Sequence, residues 1–174
     1  GGLVATAPSH VYLGGTITAA GTGVLNIGAP VTVSYNSTVG GTSTGAITVG
    51  AATLVDGVTL TVGAGAANAI SMSTVTGTAS GSASNLTINS TGAVTVSGAV
   101  GTDIGTITIT NSGGTTFSST VSAATVAITS TTTGNTVSFS GNLTLTSGMT
   151  VGAGSAAYNV AILGGSNSVA GATT

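Results

Sequence analysis

Few side chains in this 174-residue sequence are equipped for acid–base or nucleophilic chemistry: His10, Asp56, Asp103, three tyrosines and 22 serines. His10 with an aspartate and a serine has the makeup of a hydrolase triad. With so many serines, however, such a set can be assembled from almost any chain. The G-x-S-x-G elbow that would single one out needs a strand-to-helix turn, and no helix is expected. His10, beside Pro8 and Ser9, reads as a solvated turn residue. Asp56 in VDG and Asp103 in GTDIG read as turn formers, because a short carboxylate bonds its own backbone and tolerates tight turns. The sharper reading of either aspartate is a calcium site of one carboxylate plus carbonyls, but the Asp-rich nonapeptide pattern of calcium-binding β-rolls is absent. Transition metals need several His, Cys or acidic ligands, and these are missing. The expectation is a protein that is not an enzyme, with no catalytic residue, metal or cofactor.

Binding is the remaining chemistry. Tyr12, Tyr35 and Tyr158, with Phe117 and Phe139, read as core or corner residues; a sugar-binding platform is the alternative, and tyrosines clustered on one exposed face would favour it. Outward Thr-x-Thr pairs (Thr16/Thr18, Thr59/Thr61, Thr106/Thr108, Thr144/Thr146) raise an ice-binding reading that requires the pairs to stack in successive structural units. Their spacings of 43, 47 and 38 residues are irregular. Asn-x-Ser/Thr occurs at Asn36, Asn85, Asn89 and Asn142, about the number chance gives in so Ser/Thr-rich a chain.

Composition removes other partners. There is no Lys or Arg, and charged residues make up 1% of the chain where an ordinary domain has about 25%. Phosphate neutralisation is therefore impossible and nucleic-acid binding is not expected; anionic lipid meets the same difficulty. No apolar run approaches the ~18 residues of a transmembrane helix, and the alternating runs are too short for a membrane barrel. Membrane insertion is not expected. Disorder requires low hydropathy or high net charge, whereas mean hydropathy is +0.64 and net charge −2. No cysteine means no disulfide framework.

These residues must be positioned by β-structure, since 30 glycines and abundant β-branched and hydroxyl residues oppose helix. From Leu86 to Leu143 a short β-unit repeats. Gly92, Gly113 and Gly134 fall 21 residues apart, as do Val96 and Phe117, with Phe139 one residue late; Val100, Val121 and Leu143 follow the same steps. The ladder extends to Tyr12, Val33, Leu54 and Val75 on one side and to Val160 on the other. Pro8 and Pro30 precede alternating runs, where a missing N–H does least harm. LTVGAGAA (60–67) returns as MTVGAGSAA (149–157), 89 residues later. A period near 21 in an all-β chain predicts a β-solenoid (parallel β-helix) spanning residues 1–174 as one domain. About eight coils, each of two or three short strands, would make a rod about 40 Å long. Glycine is expected at corners for its positive φ. The alternative fold is a tandem pair of β-sandwich modules, which the 89-residue echo would also suit.

The segments AVTVSGAVGTDIGTITITNSGGTTFSSTVSAATVAITSTTTGNTVSFSGNLTLTSG (93–148) and AAYNVAILGGSNSVAGATT (156–174) resemble the β-strand-repeat regions of giant secreted bacterial surface proteins, such as filamentous-haemagglutinin-like adhesins and autotransporter passengers. The resemblance covers roughly the C-terminal half. It implies a parallel β-helix or related solenoid at or outside a cell envelope, serving adhesion, matrix or filament structure, and it carries over no catalytic residue. The chain departs from that group in lacking Lys, Arg and any secretion or anchoring module.

Gly1 to Ser9 lacks the charged region of a signal peptide, which reads as a mature product or a segment of something longer. That stretch and Ser166 to Thr174 hold no charge and no helix-forming run to guard open strand edges. The expectation is a protease-resistant extracellular structural protein whose main partner is itself. Copies are expected to polymerise head to tail, with the coil at Val160, Ala161 and Ile162 pairing with Val11, Tyr12 and Leu13 of the next copy; the alternative partner is a glycan.

Overall fold

Alternating apolar and hydroxyl residues, broken every few positions by glycine, specify short strands with one buried face. The computed structural model describes residues 1–7 and 9–174, and those residues contain strands and turns but no helix. Pro8 lies outside the described residues; Pro30 sits immediately before the strand Val31–Gly41, as expected.

The strands close into eight stacked coils with three faces. The first face is a sheet of eight strands: Leu3–Val4, Leu25–Ile27, Ile47–Val49, Ile70–Met72, Val94–Val96, Thr115–Phe117, Thr136–Phe139 and Asn159–Ile162. A twelve-stranded sheet wraps the other two. Its second-face ladder starts at Val11–Leu13, opposite Val31–Val33, and ends where Leu143–Val151 meets Ser168–Val169. Its third-face ladder runs from Gly15–Ala19, opposite Ser37–Gly41, to Ala172–Thr173 beside Gly148 and Met149. Long strands such as Val11–Ala19 cover both faces, bending at Gly15. All the pairings are parallel, for example Val94 with Thr115 and Val100 with Val121. That is a β-solenoid with a repeat of about 22 residues. Sandwich modules, which need antiparallel sheets, are set aside. The 89-residue echo has another origin. Leu60 connects to Met149 through Leu86, Ile107 and Val126 in the same third-face column, four coils away.

Every second residue points inward, so the core is a set of apolar columns. On the first face Ile27, Val49, Met72, Val96, Phe117 and Phe139 are buried in register. Phe117 and Phe139 stack with ring centroids 5.0 Å apart and planes 1° from parallel, the spacing the coil rise dictates. Val39, Val62, Ile88, Ile109 and Ile128 form the matching column on the third face.

The fixed 21-residue ladder is correct in places. It pairs Val33 with Leu54, Val96 with Phe117 and, after its slip, Phe117 with Phe139. Elsewhere it jumps columns. Leu54 lies opposite Gly77, while Val75 lies between Ala52 and Val100 on the second face, away from Val96. Leu13, not Tyr12, heads the Val33 column, and Phe139 faces Ile162 rather than Val160. The cause is unequal corners. The coil from Val62 to Ile88 takes 26 residues and that from Ile109 to Ile128 takes 19. Because burial alternates with period two, a slip of two residues preserves the apolar pattern and hides the change.

The corner from third to first face carries a buried polar column. Asn68 donates through Nδ2 to the carbonyls of Ser43 (2.8 Å) and Gly45 (2.7 Å). Ser43 donates to Gly23 O, and Ser90 to Ala66 O and Asn68 O. These bonds serve corner carbonyls, of which Ala66 O also accepts the backbone N–H of Thr91. Gly92 and Gly113 also lie at this corner, but neither has the positive φ that was expected; only Gly134 of that trio does. They are needed because backbones touch: a Cβ on Gly113 would sit 2.3 Å from Thr91 O.

Among the inward polar strand positions, Ser37 and Ser84 give their hydroxyls to Tyr35 O and Val55 O, but one has no such outlet. Thr115 occupies the column between Val94 and Val137, and its Oγ1 is buried without a hydrogen-bond partner. Thr115→Val should therefore raise stability by about 1 kcal/mol by removing an orphaned hydroxyl, whereas Phe139→Ala should lower it by about 3–5 kcal/mol. Urea titration of both variants checks the opposite signs.

Candidate functional site

The chemically capable residues are placed by corners, and the coils keep them apart. His10 precedes the second face in the first coil, its Nε2 2.6 Å from Thr32 Oγ1. Asp56 and Asp103 sit at the corner between second and third faces, in the third and fifth coils. Asp56 accepts a hydrogen bond from Thr78 Oγ1. Gly57 beside it has φ +72°, consistent with the turn expected of Asp-Gly. Asp103 and Thr102 both take left-handed backbone, at φ +56° and +51°, so Asp103 is a turn residue too. Its Oδ2 is buried and takes no hydrogen bond from the protein, beside an open cleft lined by Ser122 and Thr146. Among the described residues no three His, Cys, Asp or Glu side chains gather. Gly41-Thr42-Ser43-Thr44-Gly45 does spell G-x-S-x-G. Ser43, however, is buried and its hydroxyl is given to Gly23 O at 2.6 Å, a corner tie and not a nucleophile on a turn.

Three of the four Asn-x-Ser/Thr asparagines hold successive coils together. The side-chain oxygens of Asn36, Asn85 and Asn142 accept the backbone N–H of Thr59, Thr106 and Ser166.

The threonine pairs are better ordered than their spacing suggested. Thr16, Thr61 and Thr108 occupy one outward column of the third face, two coils apart, and Thr38 and Thr87 fill the coils between. The column passes Ala127 and resumes at Thr150. Thr144 stands apart on the second face, opposite Ser122 and Ser168. Unequal corners concealed this column; its signal in the sequence is the Thr before an inward apolar residue in six third-face strands, at Thr16, Thr38, Thr61, Thr87, Thr108 and Thr150.

The tyrosines divide. Tyr12 projects from the second face 75% exposed, and Tyr35 is 72% exposed. The Tyr35 ring lies over Gly14, 3.3 Å from where a Cβ there would be. His10 joins them, its ring centroid 4.9 Å from that of Tyr12 at 50°. Tyr158 is seven coils away and half-buried, its hydroxyl donating to Gly152 O at 2.5 Å. Sequence reasoning named all three tyrosines but did not separate them or bring His10 in.

The six residues expected at a polymer junction lie in the first and last coils. Val11, Tyr12 and Leu13 belong to the second face and pair on one side only, with Val31–Val33. Val160, Ala161 and Ile162 belong to the first face and pair with Val137–Phe139. Comparison with protein-family models, curated proteins and solved structures finds no match. The class the geometry defines is the β-solenoid.

Burial raises the Tyr158 phenol above its ordinary value of 10.0. A raised folded-state value favours the neutral phenol, so its contribution is whole below pH 10 and is lost as pH rises through the folded value. Thermal melts from pH 9 to 12 should show this alkaline loss, and Tyr158→Phe should flatten it.

Proposed function

We propose that this chain is a non-enzymatic structural rod of a cell surface or extracellular filament, extended by adding coils end to end. The observation that supports it most is the continuity of three parallel ladders along the whole axis. Such ladders end in edge strands whose N–H and C=O groups point along that axis: Leu3–Val4 pairs only with the second coil and Asn159–Ile162 only with the seventh. Apolar side chains accompany them, Val4 and Leu163 being among the most exposed in the molecule. A free edge of this kind accepts another strand, and the matching partner is a further coil of the same geometry, from the same chain or from a second copy. A net charge of −2 offers little repulsion between copies. With faces aligned, Asn159–Ile162 meets Leu3–Val4 and Ser168–Val169 meets Val11–Leu13. The pairing of Val160–Ile162 with Val11–Leu13 requires a one-third turn between copies. Either contact is heterologous and does not close, so it propagates. Resemblance to surface-protein repeats points the same way, as does a sequence that offers trypsin no Lys or Arg.

Electron microscopy of the purified 174-residue chain at rising concentration should show unbranched rods lengthening in steps of about 38 Å, eight coil rises. Val160→Pro, which removes an edge N–H, should cap them. Monodisperse particles at high concentration would overturn the reading.

The outward threonine column favours a second reading, a flat hydroxyl face that orders water or ice. Consecutive coils place its hydroxyls about 4.8 Å apart. On this reading the chain produces thermal hysteresis in a nanolitre osmometer, and Thr61→Tyr with Thr87→Tyr abolishes it; freezing-point behaviour equal to that of a plain buffer would remove it.

A further inference from the structure

We infer that the patch formed by Tyr12, Tyr35 and His10 on the second face binds a neutral oligosaccharide. Tyr12 and Tyr35 are the two most exposed large apolar side chains among the described residues, and both stand on the strand Val11–Ala19, Tyr12 from within it and Tyr35 over Gly14 two residues on. Tyr12 projects from the first coil, and Tyr35 reaches back from the second to lie over Gly14 of the same strand. An added side chain at Gly14 would crowd the Tyr35 ring, so the glycine gives the ring its seat. His10 lies against Tyr12 with its ring tilted 50°, and its Nε2 is within hydrogen-bond distance of Thr32 Oγ1. The result is two open aromatic surfaces beside an imidazole and a hydroxyl, with a single carboxylate, Asp56, at the Tyr35 corner one coil away.

Each feature selects among ligands. An aromatic ring with an apolar face and a polar tip is suited to a partner that is itself half apolar and half wet, as a pyranose is, with C–H bonds on one face and hydroxyls at its rim. Imidazole, phenol and threonine hydroxyls are matched donors and acceptors for those hydroxyls. The absence of Lys and Arg excludes charge pairing with sulfate, phosphate or nucleic acid. A protein partner would need about 800 Å² of complementary surface on each side, far more than two rings supply. The patch also lies off the stacking axis: Tyr12 points outward opposite Thr32, so coil-on-coil assembly leaves it displayed. The inference is independent of the rod reading, because a monomer carries the whole patch; in a rod it would recur every eight coils and gain avidity.

The test titrates the monomeric chain, at a concentration below any assembly, with four neutral hexasaccharides: β-1,4-linked glucose, β-1,4-linked N-acetylglucosamine, α-1,4-linked glucose and α-1,6-linked mannose. A sulfated hexasaccharide is the control, and calorimetry and tyrosine fluorescence are the readouts. At least one neutral sugar should bind and perturb the fluorescence. Tyr12→Ala and Tyr35→Ala should each weaken that binding about tenfold or more, with circular dichroism and melting unchanged because both rings are outside the core. Gly14→Val, which displaces the Tyr35 ring, should do the same. Preference for the sulfated sugar, silence across the neutral panel, or undiminished binding by the Tyr12→Ala/Tyr35→Ala variant overturns the inference.

Discussion

Hydrogen bonding along a single axis is the constraint on which everything else in this molecule depends. The strands of each coil satisfy their backbone through the coils above and below, as the bonds from Val94 N–H to Gly114 O and from Val121 N–H to Asn142 O illustrate. That requirement fixes the rise per coil, and the rise fixes how side chains meet. Inward residues stack directly on inward residues of the next coil, valine on valine at Val39 and Val62 and Phe139 flat on Phe117. At corners, where strands lapse, the same demand is met by side chains: Asn68, Ser43 and Ser90 bind carbonyls, while Asn36, Asn85 and Asn142 bind N–H groups. Where two backbones approach too closely for any side chain, as at Gly92 and Gly113, glycine is the remaining option.

This explains a composition that looks strange in a globular protein. With 174 residues wound around a core one side chain wide, nearly every residue lies either in an inward column or on the surface. Threonine suits the outward positions because its β-branch favours extended backbone, and threonine and serine alike carry no charge to repel an identical neighbour about 4.8 Å away. A column of lysines or glutamates at that spacing would be strongly self-repulsive. The lack of charge is thus a consequence of parallel, in-register stacking as much as of any partner.

The fold was legible from the alternation of apolar and hydroxyl residues and from the recurrence of Val96 at Phe117 and Val100 at Val121, because the corner from first to second face has the same length in both coils. Register was not legible where corners differ: nothing in STVTGTASGSAS (73–84) marks how many residues turn and how many pair. The candidate site suffered most from this. Tyr12 occupied a core column in the sequence ladder, yet a one-residue shift against Leu13 turns it outward. His10 and Gly14 bear on Tyr12 and Tyr35 only through the register of the first two coils, which no local pattern reveals. Asp56 and Asp103, by contrast, behave as their Gly-flanked sequences imply.

Leu60 and Met149 occupy one column although 89 residues separate them. A genetic duplication spanning a whole number of coils keeps every inward residue inward and every face in line, whatever the lengths of individual corners. One spanning a fraction of a coil would bring different faces together and set unlike side chains in one column. Length in such a molecule is therefore open to unequal recombination, and selection acts on where the copied segment is cut more than on how much is copied. The shared L/M-T-V-G-A-G text at these two places lies four coils apart in one column, a spacing at which a copied segment keeps its faces in line.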